Sequence, residues 1–302
     1  RELGVDHYLR LGIRAAIDAA SSITGEKLHA AGYCLGGTFL AMLAASLASH
    51  GDDRLASLTL LAAEVDFTEA GELSIFIDDS QLAYLEDLTW EQGYLDGRQM
   101  SGAFTLLNSN DLIWSRIVRQ YLMAEPPKLT DLAAWNVDTT RLPHRMHTEY
   151  LRNLYLNNDF ASGRLRYDGR ALALADIRAP IFLVGTERDH VAPWKSVYML
   201  HLYADADITF CLTSGGHNVG IVNPPQAEAP PRHYRMATKA AADRYIDPDQ
   251  WYARHEPREG SWWPAWQSWL AERSGERVAP PAMGNKDYAP IGAAPGSYVL
   301  MR

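Results

Sequence analysis

The sequence has few cysteines, no long hydrophobic run and no excess of positive charge. Only Cys34 and Cys211 occur among its 302 residues, too few for a disulfide scaffold or a cysteine-rich zinc site. No apolar run approaches the roughly 18 residues that a membrane span needs. The formal net charge is -9, whereas a nucleic-acid surface needs clustered lysine and arginine. These features predict an intracellular, cytoplasmic protein with no membrane span and no nucleic-acid partner.

Metal and phosphate motifs are also absent from the sequence pattern. His144, His147 and His201 lack metal-ligand spacing with carboxylate support, so we predict no metal site. No glycine-rich phosphate loop follows a predicted strand. Residues 1–14 lack the basic head and apolar core of a signal peptide, and they are typical of the middle of a domain.

The hydrophobic pattern in the first part of the chain predicts alternating helices and strands. Apolar residues repeat at helical spacing over residues 5–22, and a short strand follows at 27–33. Residues 35–49 then form a strongly apolar helix, and residues 58–63 have the length of a buried strand. This strand–helix–strand order implies parallel strands, because the crossover helix returns the chain to the same edge.

Residues 66–175 interrupt the alternation with aromatic, charged and helically periodic sequence. The pattern then resumes with a strand at 180–185, a helix at 194–203 and a strand at 207–212. We therefore predict an α/β fold with a mainly parallel sheet. Its core would comprise residues 1–65 and 176–302, and a helical cap would be inserted at 66–175.

Residues 32–37 read Gly-Tyr-Cys-Leu-Gly-Gly and match the nucleophile elbow, with cysteine where serine is usual. The flanking glycines are needed because a Cβ there would collide with the neighbouring strand or helix. The turn places Cys34 at a helix N-terminus, which favours a thiolate, and directs the backbone N–H of Leu35 at an oxyanion. A buried structural cysteine is the alternative, but the strand before and the helix after Cys34 favour a nucleophile.

Two residues follow later strands in the order that this fold requires, which is nucleophile, acid and histidine. Asp189 follows one predicted strand and His217 follows the next. His217 can take the thiol proton and later protonate the leaving group, while Asp189 can orient the imidazole. Glu187 and His190 remain rivals for the acid and base roles. Cys211 lies within a strand and is predicted to belong to the core.

Short segments in order along nearly the whole chain carry a further similarity. They are residues 25–27 (GEK), 32–38 (GYCLGGT), 58–61 (LTLL), 65–67 (VDF), 109–114 (SNDLIW), 135–143 (WNVDTTRLP), 189–194 (DHVAPW), 216–217 (GH), 223–225 (NPP), 260–264 (GSWWP) and 295–299 (PGSYV). With them the chain resembles the catalytic domain of polyhydroxyalkanoate synthases, which polymerise 3-hydroxyacyl-CoA into polyester and have an α/β-hydrolase fold.

The resemblance implies roles for the same residues. Cys34 would carry the growing acyl chain as a thioester, and His217 would activate it. Asp189 would orient His217 or help to deprotonate the 3-hydroxyl group of the incoming monomer. The substrate would be (R)-3-hydroxyacyl-CoA, whose CoA is released, and no further cofactor is implied. The resemblance also implies a homodimer at the surface of cytoplasmic polymer granules, with a mobile cap that takes part in dimer contacts.

Several aromatic residues and one histidine are further candidates for substrate binding. Trp114 and Trp135 are candidates for a substrate channel, with packing inside the helical cap as the alternative. His190 is a third candidate for a substrate contact. The tryptophans between 262 and 269 could face a polymer granule, since exposed aromatic patches mark interaction sites, or could pack in the core.

The chain departs from the family at its N-terminal side. Only the 33 residues before Cys34 are available, which is room for one helix and one strand. The second oxyanion donor normally comes from a loop after an earlier strand. We therefore expect an N-terminally truncated synthase that lacks the early strands and has an exposed sheet edge. The alternatives are a cysteine-nucleophile hydrolase (esterase, thioesterase or depolymerase) and an inactive remnant that dimerises with a complete synthase.

Overall fold

The structure is a computed structural model that describes residues 1–100, 102, 114, 117–126, 131–138, 140–225, 231–297 and 300. Its strands are β1 Leu28–Tyr33, β2 Leu55–Leu61, β3 Tyr94–Leu95, β4 Leu142–Pro143, β5 Arg166–Tyr167, β6 Arg170–Ala171, β7 Ile181–Thr186, β8 Ile208–Thr213, β9 His233–Lys239 and β10 Arg258–Glu259. Its α-helices are α1 Val5–His7, α2 Ala15–Thr24, α3 Leu35–Ser49, α4 Asp79–Gln92, α5 Asp131–Val137, α6 His144–Tyr150, α7 Trp194–Tyr198, α8 Leu200–Tyr203, α9 Pro248–Arg254 and α10 Trp263–Ala271.

Six of the described strands form one sheet in the order β1-β2-β7-β8-β9-β10. The pairs β1–β2, β2–β7 and β7–β8 are parallel, while β8–β9 and β9–β10 are antiparallel. The two small sheets β3–β4 and β5–β6 lie outside it. The prediction of a mainly parallel sheet is therefore confirmed. The carboxyl ends of β1, β2, β7 and β8 share one edge, where such folds place their ligands.

Helix α3 is the centre of the hydrophobic core. Residues 37–47 are buried on every face of the helix, as expected for a helix that is apolar all round. It packs against β1, β2 and the π-helical segment Tyr8–Arg14, which joins α1 to α2. The sequence pattern over residues 35–49 predicted this helix, and the structure gives it the same bounds.

The other predicted elements are present, with some shifted boundaries. The strand expected at 58–63 runs from Leu55 to Leu61, because Ala62 has a φ of 47° that strand geometry does not allow. The helix expected at 194–203 is divided into α7 and α8. Strands β9 and β10 were not predicted, and β9 is half-buried along most of its length.

The described part of residues 66–175 contributes no strand to the six-stranded sheet. It is largely helical, with α4, α5 and α6 together with π-helical segments at Ile117–Leu122 and Leu151–Leu156. The carboxylate of Asp78 accepts the backbone N–H of Gln81 at 2.8 Å and caps the start of α4. The segment 109–113, part of one motif noted above, lies outside the described residues, and the division into core and cap remains a prediction.

Helix α10 and the residue before it pack aromatic side chains against one region of the sheet. The Trp262 ring, just before the helix, is 1% exposed and stacks on Phe182 of β7 with centroids 6.1 Å apart. Trp269 is also buried and meets Phe182 edge-on at 5.3 Å. This packing favours a core role for these two tryptophans over a granule-facing surface. No helix in the described ranges is long and apolar enough to cross a bilayer.

Candidate active site

Cys34 occupies a strained turn between β1 and α3. Its φ of 53° and ψ of -127° lie in a region that residues with a side chain seldom adopt. The turn is held by the Cys34 N–H, which donates to the Leu61 carbonyl at 2.8 Å. The Cys34 carbonyl accepts the N–H groups of Gly37 and Thr38 at 2.9 and 3.1 Å. These bonds fix the nucleophile at the carboxyl end of β1.

The sequence predicted that glycine is needed on both sides of Cys34, and close packing requires it at Gly32 and Gly37 but not at Gly36. A Cβ on Gly32 would lie 2.6 Å from the Cα of Gly37, and a Cβ on Gly37 would lie 2.5 Å from the Cβ of Ala63. Gly36 has open space around the position of a Cβ. Gly32 and Gly37 therefore allow the strand and helix to approach. Leu35 is the first residue of α3, where the helix itself provides no acceptor for the N–H.

Asp189 and His217 meet at the same edge of the sheet. His217 Nδ1 lies 2.9 Å from Asp189 Oδ2 and 3.1 Å from Oδ1. Because a carboxylate only accepts hydrogen bonds, Nδ1 carries the proton and Nε2 is left for another partner. The Asp189 side chain is completely buried. It also accepts the Thr186 hydroxyl at 3.0 Å and the N–H groups of Val191 and Ala192 at 3.0 and 2.9 Å.

The electrostatics of the pair favour a charged imidazole beside the thiol. Burial lowers the pKa of His217, but hydrogen bonds with Asp189 and with the Cys34 side chain outweigh it and raise the pKa to about 10. The Cys34 side chain is thus hydrogen-bonded to the imidazole that Asp189 holds. The structure thus brings together the three residues that the sequence predicted, in an arrangement suited to nucleophilic attack.

A cavity of about 290 Å³ adjoins Cys34. Its wall includes many apolar side chains from the core and from residues 66–175: Leu35, Phe67, Leu73, Phe76, Ile77, Leu85, Leu88, Leu95, Met100, Leu142, Leu151 and Val191. Polar groups are few in this wall, and they include Glu64, His147, Tyr150 and Tyr155. Such a space suits an apolar acyl group better than a charged ligand.

The remaining candidates lie elsewhere. Glu187 accepts hydrogen bonds from His233 Nε2 at 3.1 Å and from Arg235 Nη1 at 2.9 Å, so its carboxylate is engaged away from His217. The His190 side chain is 65% exposed, and its Nδ1 lies 3.6 Å from a Glu72 carboxylate oxygen. The geometry favours Asp189 over Glu187 as the acid and His217 over His190 as the base.

The two cap tryptophans are largely exposed. Trp114 is 60% exposed and Trp135 is 53% exposed, so neither is packed in a core. The Trp135 ring lies 6.4 Å from the ring of Tyr33, and Tyr33 in turn lies 5.1 Å from the imidazole of His217. Trp135 is therefore separated from His217 by the Tyr33 ring, and neither Trp135 nor Trp114 is among the described residues of the cavity wall. A substrate role for either remains a prediction.

The polar groups of the cavity wall were not among the site residues predicted from the sequence. Burial, together with the smaller effect of nearby His144, lowers the pKa of His147 to about 4, so this imidazole is neutral at pH 7. Burial raises the pKa of Glu64 to about 8. A signal for Glu64 was available, because it is an acidic residue directly after an apolar strand, as Asp189 is.

The family model of the α/β-hydrolase fold matches residues 21–224, so the chain belongs to that fold family. The resemblance seen in the motifs is confirmed over the whole chain. It is 40% identical over 296 residues to a poly(3-hydroxyalkanoate) polymerase subunit PhaC from Rhizobium meliloti (strain 1021), covering 98% of this chain and 47% of the relative. A poly(3-hydroxyalkanoate) polymerase of Methylorubrum extorquens is 40% identical over 304 residues, which are 100% of this chain and 49% of the relative.

The chain therefore spans about half the length of the curated relatives that it matches. Among solved structures, a monoacylglycerol lipase from Paleococcus ferrophilus aligns with a TM-score of 0.45 and 15% identity, over 90% of this chain and 77% of the lipase.

Proposed function

We propose that this chain is the catalytic part of a polyhydroxyalkanoate synthase that polymerises (R)-3-hydroxyacyl-CoA through a thioester on Cys34. The proposal rests on the geometry around Cys34. This cysteine lies on a strained elbow beside an apolar cavity and is hydrogen-bonded to His217, which is in turn hydrogen-bonded to Asp189. The polymerase names of its relatives support the substrate class.

The first half of the proposed reaction loads the enzyme. His217 takes the Cys34 proton, and the thiolate sulfur attacks the thioester carbonyl carbon of the acyl-CoA. The backbone N–H of Leu35 stabilises the oxyanion. The carbon–sulfur bond to CoA then breaks, CoA leaves with the proton from His217, and the acyl group remains on Cys34. Exchange of one thiol for another retains the energy of the thioester bond.

The second half forms the ester. The 3-hydroxyl of a second hydroxyacyl group attacks the Cys34 thioester, its proton passes to His217, and the Cys34 thiolate leaves. Asp189 orients and stabilises the imidazolium in both halves; a direct role on the hydroxyl is disfavoured by its engagement with Thr186, Val191 and Ala192. The apolar wall keeps water from the acyl-enzyme, which favours polymerisation over hydrolysis.

The wider setting is proposed from the resemblance to the family. We propose that the enzyme needs no cofactor beyond the CoA of its substrate and acts as a homodimer on cytoplasmic polymer granules. His190, Trp114 and Trp135 are retained as substrate contacts within this proposal. Light scattering and co-sedimentation with isolated granules measure the dimer and the granule association directly.

The test of the function uses the full-length protein that contains this chain, incubated with 3-hydroxybutyryl-CoA. We expect CoA release together with insoluble polyester, and loss of both in Cys34→Ala. Cys211→Ala is the matched control, because Cys211 is buried in β8 outside the site, and it should retain activity. Soluble 3-hydroxybutyrate in place of polymer would indicate a hydrolase instead. Absence of any Cys34-dependent CoA release would contradict both activities and favour an inactive remnant.

A further inference from the structure

Glu64 is a carboxyl group without a complete set of partners in the wall of the acyl cavity. The residue is 5% exposed, and its Oε1 is buried with no hydrogen-bond partner among the residues that the structure describes. Its backbone is fixed, because its carbonyl accepts the Thr38 hydroxyl at 2.7 Å. A buried polar atom without a partner is destabilising, so a ligand that completes this hydrogen bond is favoured at this position.

The fold places Glu64 beside Cys34. Tyr33, just before the nucleophile, is in register with Leu61 on the neighbouring parallel strand, and Glu64 follows Leu61 by three residues. Both side chains line the same cavity. Tyr155 lines this cavity together with both residues. Glu64 is therefore within the space that an acyl group on Cys34 would fill.

The surroundings of Glu64 favour its protonated form, which can donate a hydrogen bond. Burial raises its pKa to about 8; the nearby Ser196 hydroxyl opposes this, and the negative charge of Asp189 adds to it. Ser196 Oγ donates its single proton to the Asp66 carbonyl at 2.5 Å, so that proton is not available to Glu64. The charges around Glu64 are Asp189, Asp66 and His217, and the first two disfavour its ionisation.

Resting on the proposed function, we propose that Glu64 donates a hydrogen bond to the 3-oxygen of the acyl group on Cys34 and so selects 3-hydroxyacyl over unsubstituted acyl thioesters. In the proposed function the Leu35 N–H at the start of α3 donates to the oxygen of the thioester carbonyl. The 3-oxygen lies two carbons further along the acyl chain. In the wall near Cys34 the Tyr150 hydroxyl donates to the Tyr155 hydroxyl at 3.3 Å, whereas Glu64 Oε1 has no partner among the described residues. A site that hydrogen-bonds a substrate oxygen rejects the analogue that lacks it, because the protein group is then left unpaired.

The experiment compares first-turnover CoA release from 3-hydroxybutyryl-CoA and butyryl-CoA in the full-length protein. Wild type should prefer the hydroxylated substrate. Glu64→Leu, which has a similar volume and no donor, should reduce that preference roughly tenfold or more. Glu64→Gln should keep most of it, because an amide N–H can donate to the same oxygen. An unchanged preference in Glu64→Leu, or equal slowing of both substrates in it, would overturn the proposal.

Equilibrium binding separates this proposal from the proposed function. Binding of the same two thioesters to Cys34→Ala, measured by calorimetry with and without Glu64→Leu, needs no chemistry at Cys34. We expect tighter binding of 3-hydroxybutyryl-CoA, lost when Glu64 is also replaced. Failure of wild type to release CoA would contradict the proposed function, while the binding preference would still decide the role of Glu64. Binding without any Glu64-dependent preference would refute the inference.

Discussion

The hydrogen bonds around Asp189 determine what a single-atom change in its side chain would do. In Asp189→Asn an amide replaces a carboxylate that accepts from His217 Nδ1 and also from Thr186, Val191 and Ala192. If the asparagine oxygen keeps the hydrogen bonds from the backbone N–H groups, its amide N–H group faces the imidazole. His217 Nδ1 must then accept, so the proton lies on Nε2, which is the wrong tautomer for a base. We expect first-turnover CoA release to fall roughly 100-fold or more, measured by rapid quench.

Glu187→Gln is the control for that prediction. Glu187 was a rival for the acid role, but it is bound by His233 and Arg235. The variant should keep CoA release within a few-fold of wild type. A fall in Glu187→Gln as large as that in Asp189→Asn would show that the geometry has been assigned to the wrong acid.

The raised pKa of Glu64 predicts how its contribution to stability depends on pH. In the folded chain the pKa is about 8, against 4.5 for an unperturbed glutamate. The contribution of Glu64 to the free energy of unfolding is thus fully present below about pH 4.5. It is lost as the pH rises from there through 8, because the unfolded chain releases this proton more readily than the folded chain. Relative to wild type, Glu64→Gln should become more stable over this window, by on the order of a few kcal/mol.

Denaturant titrations at several pH values between 5 and 9 measure this difference in the free energy of unfolding. Glu26→Gln, in which a solvent-exposed carboxylate is replaced by the same amide, is the control measured under the same conditions. A pH-independent difference for Glu64→Gln would mean that the carboxyl group is ionised in the folded protein, which would also remove the donor invoked for substrate selection.

The elbow shows which parts of a turn are sterically constrained. Gly32→Ala and Gly37→Ala each place a methyl group within 2.6 Å of a neighbouring atom, so we expect each to lower the free energy of unfolding by about 1–3 kcal/mol and to reduce activity. Gly36→Ala meets nothing within 4 Å and lies in the first turn of α3. It should be neutral or stabilising by about 0.5–1 kcal/mol, and thermal unfolding distinguishes the two outcomes. Equal effects at Gly36 and Gly37 would contradict the packing argument.

Local patterns predicted the elements that carry the site, because each has a signal within a few residues. The apolar helix α3, the glycines around Cys34, and the acid and histidine after two buried strands were all visible in the sequence. Strand β9 was not visible, because it is only half-buried and contains polar residues, and it is stabilised as a strand by its pairing with β8. The position of Glu64 after an apolar strand was visible too, but its burial in the cavity wall depends on side chains distant in sequence.

In the molecule as a whole, the C-terminal helix links the core to the site. Trp262 Nε1 donates to the Gly220 carbonyl and Trp263 Nε1 to the Ile221 carbonyl, each at 3.0 Å. Both carbonyls belong to the turn that begins at His217. The indoles that fill the core beside the sheet thus also fix the backbone that carries the proposed base. The sequence left the role of these tryptophans open, because a dense aromatic patch is compatible with a core or a surface.

Trp262→Ala is therefore expected to affect both stability and activity. Removal of this buried side chain should lower the free energy of unfolding by about 3–5 kcal/mol. Trp262→Phe should cost less, but it leaves the Gly220 carbonyl without its donor and should still slow CoA release by loosening the His217 turn. Tyr84→Ala is the control, because Tyr84 is 67% exposed on α4 and should change stability by less than about 0.5 kcal/mol. Denaturant unfolding monitored by circular dichroism gives all three values, and a Trp262→Ala variant as stable as Tyr84→Ala would place the tryptophan at a surface instead of in the core.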